Sequence, residues 1–237
     1  LTFLDYVANE TLVPEEMEQI LSGMAKSCKE AGVAIIGGET AEMPGVYMKG
    51  EHDIAGCITG IVEKDKIITG EKITEGHIIL GFASSGLHTN GFSLARKLIF
   101  EVGGHKVDDK IEELGETVGE ALLRVHINYT RPVLEILENE IEVKGIAHIT
   151  GGGFMDNIPR VLPKNLDAEI IKGAWPMLPV FNFLQKLGDV DEEEMYTAFN
   201  MGIGLILILS GDAKSGVEAI LKKHPNFKLY ELSLIHI

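Results

Sequence analysis

Basic charge is in short supply in this chain: 21 lysines and arginines stand against 36 aspartates and glutamates, a net charge of −15. That deficit argues against nucleic acid or an anionic membrane as a principal partner, since both need a basic face. Phosphorylated small molecules stay open, because glycine loops and cations hold phosphate without a basic surface. Cysteine is scarce, with two in 237 residues. Cys28 falls on the apolar stripe of an expected helix and Cys57 within an expected strand, so both read as small buried hydrophobes in a reducing, cytoplasmic compartment. No Cys-x-x-Cys or His-x-x-x-His spacing suggests zinc. No apolar run approaches the ~20 residues that span a bilayer, and no signal peptide opens the chain. An initiating methionine is lacking too. The chain opens in mid-pattern on Leu1-Thr2-Phe3-Leu4-Asp5 and closes on the apolar Leu234–Ile237, which reads as a piece with material missing ahead of Leu1.

What is plentiful is apolar residues, at 45%, enough for a proper core, and glycine, at 27 residues. Pro14 to Ala31 reads as a helix: Pro14, Glu15 and Glu16 suit its first turn, and Met17, Ile20, Leu21, Met24, Ala25 and Cys28 recur at helical spacing. Gly32 stops it. Strands are expected at Val33–Ile36 and Ile54–Val62. The charged segment Glu63–Gly76 reads as a boundary between domains, taken as 1–73 and 74–237. Beyond it come strand His77–Ala83, loop Ser84–Asn90 and helix Gly91–Phe100, then a surface loop to Gly119. A helical pattern runs over Glu120–Glu140, followed by strand Gly145–Thr150 and a short helix near Phe154–Arg160. Strand Ala168–Ile171, helix Val180–Leu187, strand Ile203–Leu209, helix Ala213–Lys223 and strand Lys228–Leu232 follow. Alternating strands and helices imply a layered α/β or α+β fold.

Three segments concentrate chemistry. Gly37-Gly38-Glu39-Thr40-Ala41-Glu42 follows the strand Val33–Ile36 and reads as a turn. Its bare glycine amides suit phosphate and its carboxylates suit Mg²⁺; the plainer reading is a tight turn with two solvated acids. Ser84-Ser85-Gly86-Leu87-His88-Thr89-Asn90-Gly91 joins a strand to a helix, where an anion could bind and His88 could act as acid, base or charge stabiliser. Helix capping by Thr89 or Asn90, with His88 merely exposed, explains that loop equally well. Thr150-Gly151-Gly152-Gly153 repeats the logic: three glycines suit close approach to a ligand, or a flexible turn. The run Glu192–Glu194 reads as a solvated helix start, and Asn200 and Gly202 as a tight turn.

Taken together, Leu4-Asp5-Tyr6, Gly37 through Gly45, Ser84 through Leu94, Ala147 through Gly153, Asn157 through Pro163 and Phe199-Asn200-Met201-Gly202 resemble the phosphoribosylformylglycinamidine cyclo-ligase (AIR synthetase) family, in that family's order and over nearly the whole chain. The resemblance implies a two-domain α+β fold of mixed sheets covered by helices, with the N-terminal domain incomplete. It implies a homodimer paired through its N-terminal sheets, and an ATP- and Mg²⁺-dependent ring closure of formylglycinamidine ribonucleotide to aminoimidazole ribonucleotide in purine biosynthesis. Carried over residue by residue, it places Gly37, Gly38, Glu39 and Thr40 at Mg–ATP, with Glu39 and then Asp5 on the metal. His88 becomes the catalytic group, and Ser85, Thr89, Asn90, Gly151, Gly152 and Gly153 hold substrate. Val125-His126-Ile127-Asn128-Tyr129 departs from the family's Pro-Thr-Arg-Ile-Tyr, and the arginine is lost. The alternatives are a selenophosphate synthetase or thiamine-phosphate kinase of the same superfamily, or a folded piece that binds without turnover. A kinase would carry Gly-Gly-Asp where this chain has Gly-Gly-Glu.

Overall fold

The computed structural model describes residues 1–236. Two compact units divide the chain, Leu1–Ile67 and Ile68–Ile237, and the division falls inside the charged segment Glu63–Gly76. Both are α+β.

The first unit is a three-stranded mixed sheet with one long helix. Strand β1 (Thr2–Asn9) is central, helix α1 spans Pro14–Ala31, and β2 (Ala34–Glu42) and β3 (His52–Thr59) flank β1. Pro14 opens α1, where its missing N–H costs nothing. Gly32 closes it in the left-handed region (φ 71°), its N–H reaching the Cys28 and Lys29 carbonyls. Of the expected stripe, Met17 is buried and Ile20, Met24 and Cys28 are half-buried, whereas Leu21 and Ala25 are exposed.

Strand β2 corrects the expected turn at Gly37. The strand runs on to Glu42 because its parallel register with β1 continues: Leu4 pairs with Gly37, Asp5 with Gly38, Tyr6 with Glu39 and Val7 with Thr40. A side chain at Gly38 would collide with the Asp5 carboxylate and come within 2.6 Å of the Asp5 carbonyl oxygen. The glycine makes room for a neighbouring strand, not for a bend in its own. The cysteines need correction as well: Cys28 is half-buried and Cys57 exposed, because β3 is an edge strand whose residues all lie open in this unit.

The second unit is built on a five-stranded sheet, followed here in chain order. Strand β4 (Ile78–Ala83) leads to helix α2 (Phe92–Arg96), which widens into a π-helical turn at Lys97–Val102. The expected surface loop beyond it contains a small hairpin, β5 (Lys110–Ile111) and β6 (Glu116–Thr117). The expected helix over 120–140 is two helices, α3 (Val118–Leu122) and α4 (Thr130–Glu138). A capping box between Thr117 and Glu120 starts α3, and Pro132 sits in the first turn of α4, where its ring is tolerated. Strand β7 (Val143–His148), helix α5 (Gly153–Asn157), strand β8 (Asp167–Ala168), helices α6 (Pro179–Gly188) and α7 (Glu192–Ala198), strand β9 (Ile203–Leu209), helix α8 (Lys214–Leu221) and strand β10 (Leu229–His236) complete it. Asp191 caps α7 by accepting from the Glu193 N–H at 2.9 Å, so the acidic run is a helix start.

The sheet order is β7-β9-β4-β10-β8. Every residue of β9 is buried, an apolar run covered on both faces. One layer holds Phe154, Phe181, Phe199 and Met195 with Ile203, Ile206 and Ile208; the other holds Phe82, Tyr129, Ile136 and Val217 with Leu205, Leu207 and Leu209.

Candidate functional site

Strand β9 runs antiparallel to both β4 and β7, pairing Ile203 with Ala83 and Leu205 with His148. Its beginning therefore lies beside the ends of the other two. Three connections that are remote in sequence meet there: Ser84–Gly91 after β4, Ile149–Gly153 after β7, and Phe199–Gly202 ahead of β9.

Two buried asparagines lock these connections. Asn200 uses its whole amide: the Ser84 hydroxyl and the Gly202 N–H both donate to its Oδ1 at 2.8 Å, and its Nδ2 donates to the carbonyls of Gly86 (2.8 Å) and Leu87 (3.0 Å). Asn157 does the same for the triple glycine. Its Nδ2 donates to the carbonyls of Thr150, Gly151 and Gly153, closest at 2.7 Å to Gly153, while its Oδ1 accepts from the Thr150 hydroxyl and Arg160. Read from sequence, Asn200 promised only a turn.

His88, expected as the catalytic group, is buried rather than exposed. It is 7% exposed, and its backbone is left-handed at φ 59°, as is that of Met201 at 47°. Such strain in bulky residues collects at functional sites. The His88 Nε2 accepts from the Ser85 N–H at 3.0 Å, so Nε2 carries no proton. Nδ1 is buried without a hydrogen-bond partner. Burial, and then the neighbouring His126 and His148, push its pKa down to about 3, so the ring is neutral at physiological pH. Room for it comes from Gly204 in β9, where a Cβ would stand 2.8 Å from the His88 ring and collide with the Tyr129 hydroxyl. Tyr129 donates to the Ala83 carbonyl at 2.7 Å, and burial raises its pKa.

Around His88 the expected substrate residues divide. Ser85 donates its hydroxyl to the Val125 carbonyl at 2.7 Å, so that proton is already committed. Thr89 is exposed, and Asn90 is 8% exposed with its Nδ2 unpartnered. Gly151 has open space where a side chain would go. Gly152 and Gly153 do not: a Cβ at Gly152 would strike the Asp156 side chain, and one at Gly153 the Tyr196 carbonyl of α7. Those two glycines admit the chain's own atoms.

Sequence reasoning missed the imidazoles above His88. The His126 ring lies on it, centroids 3.9 Å apart and planes inclined by 30°. His126 Nε2 and His148 Nε2 are 3.1 Å apart. Burial, and then His126, lower the pKa of His148. The departure at 125–129 is the available signal, since the segment that lacks the family's arginine carries a histidine.

In the first unit, Asp5 shares a face of the sheet with Gly38, whereas Glu39, the next residue along β2, lies in register with Tyr6 on the other face. The two carboxylates expected to hold magnesium do not converge. The Glu39 carboxylate accepts from the Thr40 N–H at 3.1 Å, and Glu42 accepts from the Leu12 N–H at 2.8 Å. Among the described residues no three His, Cys, Asp or Glu side chains gather as a metal site.

A two-unit α+β chain with these loops at the strand ends has known relatives. Residues 74–232 match the family described as AIR synthase related protein, C-terminal domain, and residues 1–62 match AIR synthase related protein, N-terminal domain. The chain belongs to the AIR synthase related family. It is 49% identical over 223 residues to the phosphoribosylformylglycinamidine cyclo-ligase of Alkaliphilus metalliredigens (strain QYMF), covering 94% of this chain and 64% of the relative. To the enzyme of the same name from Bacillus velezensis it is 50% identical over 217 residues, 92% of this chain and 62% of the relative. The chain thus spans just under two thirds of the length of these curated relatives. Among solved structures, the hydrogenase maturation protein HypE of E. coli superposes with a TM-score of 0.67 at 20% identity, over 99% of this chain and 66% of that one. Thiamine-monophosphate kinase from Stenotrophomonas maltophilia K279a gives 0.66 at 13%, over 99% and 68%. Those likenesses are of fold.

Proposed function

We propose that this chain is part of an ATP-dependent cyclo-ligase that converts formylglycinamidine ribonucleotide to aminoimidazole ribonucleotide in purine biosynthesis. The observation that carries the reading is the half-identity to relatives of that name over more than nine tenths of the chain. ATP is further supported by a fold neighbour, a HypE described in complex with ATP, at a TM-score of 0.64 and 18% identity. In the proposed reaction the amide oxygen attacks the γ-phosphoryl group of ATP and ADP leaves. The amidine nitrogen then attacks the activated carbon, and phosphate carries the oxygen away. Such chemistry rests on positioning and charge neutralisation.

Nucleotide is assigned to Gly37, Gly38, Glu39 and Thr40 along the outer edge of β2, and ribonucleotide to the loops of the second unit. There Thr89, the unpartnered Asn90 Nδ2 and the Gly151 backbone are the groups left for a ligand. Ser85, Gly152 and Gly153 shape the loops, and His88 positions them rather than transferring a proton. Magnesium receives no step here, because Asp5 and Glu39 face opposite sides of the sheet. A homodimer is part of the reading, supported by apolar side chains left open on the first sheet: Ile36 at 62%, Ile54 at 51% and Ile58 at 66% exposed. A cytoplasmic location is proposed on the two free thiols. Among the described residues no helix is long and apolar enough to cross a membrane. The test is an assay of the whole protein for aminoimidazole ribonucleotide and ADP. Absence of both products, with the precursor and ATP present, would overturn the assignment.

A further inference from the structure

The imidazoles above His88 have a geometry that neither the loop locking nor the proposed ring closure uses. His126 Nδ1 lies 2.7 Å from the Ile127 carbonyl oxygen. A carbonyl can only accept, so Nδ1 holds the ring proton and Nε2 presents a bare lone pair. That lone pair accepts a hydrogen bond from His148 Nε2 at 3.1 Å, with the two ring planes inclined by 72°; a bound cation would take the place of that shared proton. A carbonyl fixing the far nitrogen is how proteins orient imidazoles that bind metal. The His88 ring beneath, at 3.9 Å, holds the His126 plane in place.

The spacing fits an ion. Two imidazole nitrogens at about 2.0–2.1 Å from a tetrahedral Zn²⁺ stand about 3.3–3.4 Å apart. The observed separation needs only a few tenths of an ångström more, a small swing of the partly exposed His148. Nothing else protein-borne completes the set, since among the described residues no third His, Cys, Asp or Glu joins it, and His88 directs its Nε2 to Ser85. Two coordination positions are therefore left for water or for an oxygen of an anionic ligand. Imidazole donors select zinc, nickel, cobalt or copper over magnesium and calcium. The place is also particular: His148 leads directly into the triple-glycine loop, and His126 follows Val125, whose carbonyl receives the Ser85 hydroxyl.

We propose that His126 and His148 form a two-imidazole site for a borderline divalent cation of the Zn²⁺ type, bridging the connection between α3 and α4 to the end of β7 in the second unit. The inference does not depend on the proposed reaction and is tested without it.

The experiment is titration of the intact chain with Zn²⁺ by calorimetry, and with Co²⁺ by visible absorbance. The variants are His126→Ala, His126→Gln and His148→Ala, with His105→Ala as the control. One equivalent of metal is expected, at least about tenfold weaker in each of the three site variants and unchanged in the control, with Mg²⁺ in large excess failing to compete. His126→Gln keeps the size of the side chain, so a failure of His126→Ala to fold leaves the test standing. Absence of uptake, uptake indifferent to both His126 variants, or displacement by Mg²⁺ would each overturn the site.

Discussion

Asn200 Nδ2 donates to the Gly86 carbonyl oxygen across 2.8 Å, tying the residues ahead of β9 to the loop that follows β4. Both carbonyls it serves are buried with it, so the amide cannot be replaced by water. Asn200→Asp keeps the shape but turns a donor pair into oxygen facing the Gly86 and Leu87 carbonyls. The expected loss is about 2–4 kcal/mol, from unsatisfied acceptors and an unpaired buried charge. Urea denaturation of the second unit's core signal measures it, and an unchanged midpoint would show that the bonds are not holding the loop.

Asn157 makes the parallel case for the triple glycine. Asn157→Ala releases three carbonyls at once and is expected to cost about 1–3 kcal/mol. Hydrogen exchange should quicken in Thr150–Gly153 and leave Ser84–Asn90 protected. Equal quickening in both loops would mean that they do not have separate locks.

The glycines separate packing from binding. Gly204→Ala and Gly153→Ala should each destabilise by about 1–3 kcal/mol or more, since the added methyl meets Tyr129 in one case and the Tyr196 backbone in the other. Gly151→Ala meets nothing within 4 Å and should leave stability within about 0.5 kcal/mol. Its effect should appear in substrate KM instead. Thermal melts of the three variants beside one steady-state assay give the contrast, and a destabilised Gly151→Ala would remove Gly151 from the ligand side.

Acid should weaken the second unit through His88. The unfolded chain takes up a proton near the ordinary pKa of 6.5, whereas the folded ring resists until about 3. Protons therefore favour the unfolded state between those values. The contribution of a neutral His88 is complete above pH 6.5 and declines as the pH falls towards 3, by up to about 1.4 kcal/mol per pH unit. The lowered pKa values of His77 and His148 act in the same direction. His88→Asn, which tolerates a left-handed backbone, should flatten the pH dependence of the melting temperature between pH 7.5 and 4.5. Identical slopes would show that His88 titrates as an ordinary exposed imidazole.

Much of this molecule was legible because its signals are local. Pro14 and Gly32 bracket α1 within one stretch of chain, and the buried run of β9 announces itself. The pair Gly37-Gly38 misled, since glycines beside acids look like a turn. What needs the small residue is Asp5 on the adjacent strand, and no pattern along β2 reports on β1. Gly152 and Gly153 were open to a ligand reading for the same reason: their neighbours, Asp156 and the Tyr196 carbonyl, become visible only once α5 and α7 are packed. Asn200 was the hardest to read. Three of its four partners sit more than a hundred positions away, and a buried amide there has no local signature to distinguish it from a turn.

That separation has a consequence for the order of events during synthesis. The Ser84–Asn90 loop emerges from the ribosome early, at residues per second, long before Asn200 does. Until then its carbonyls at Gly86 and Leu87 have only water, and the strained His88 backbone lacks the β9 surface against which it rests. Contacts so distant in sequence form late, after the intervening chain has closed. A nascent or truncated chain that stops short of Asn200 would carry every residue of this loop and still not carry its shape.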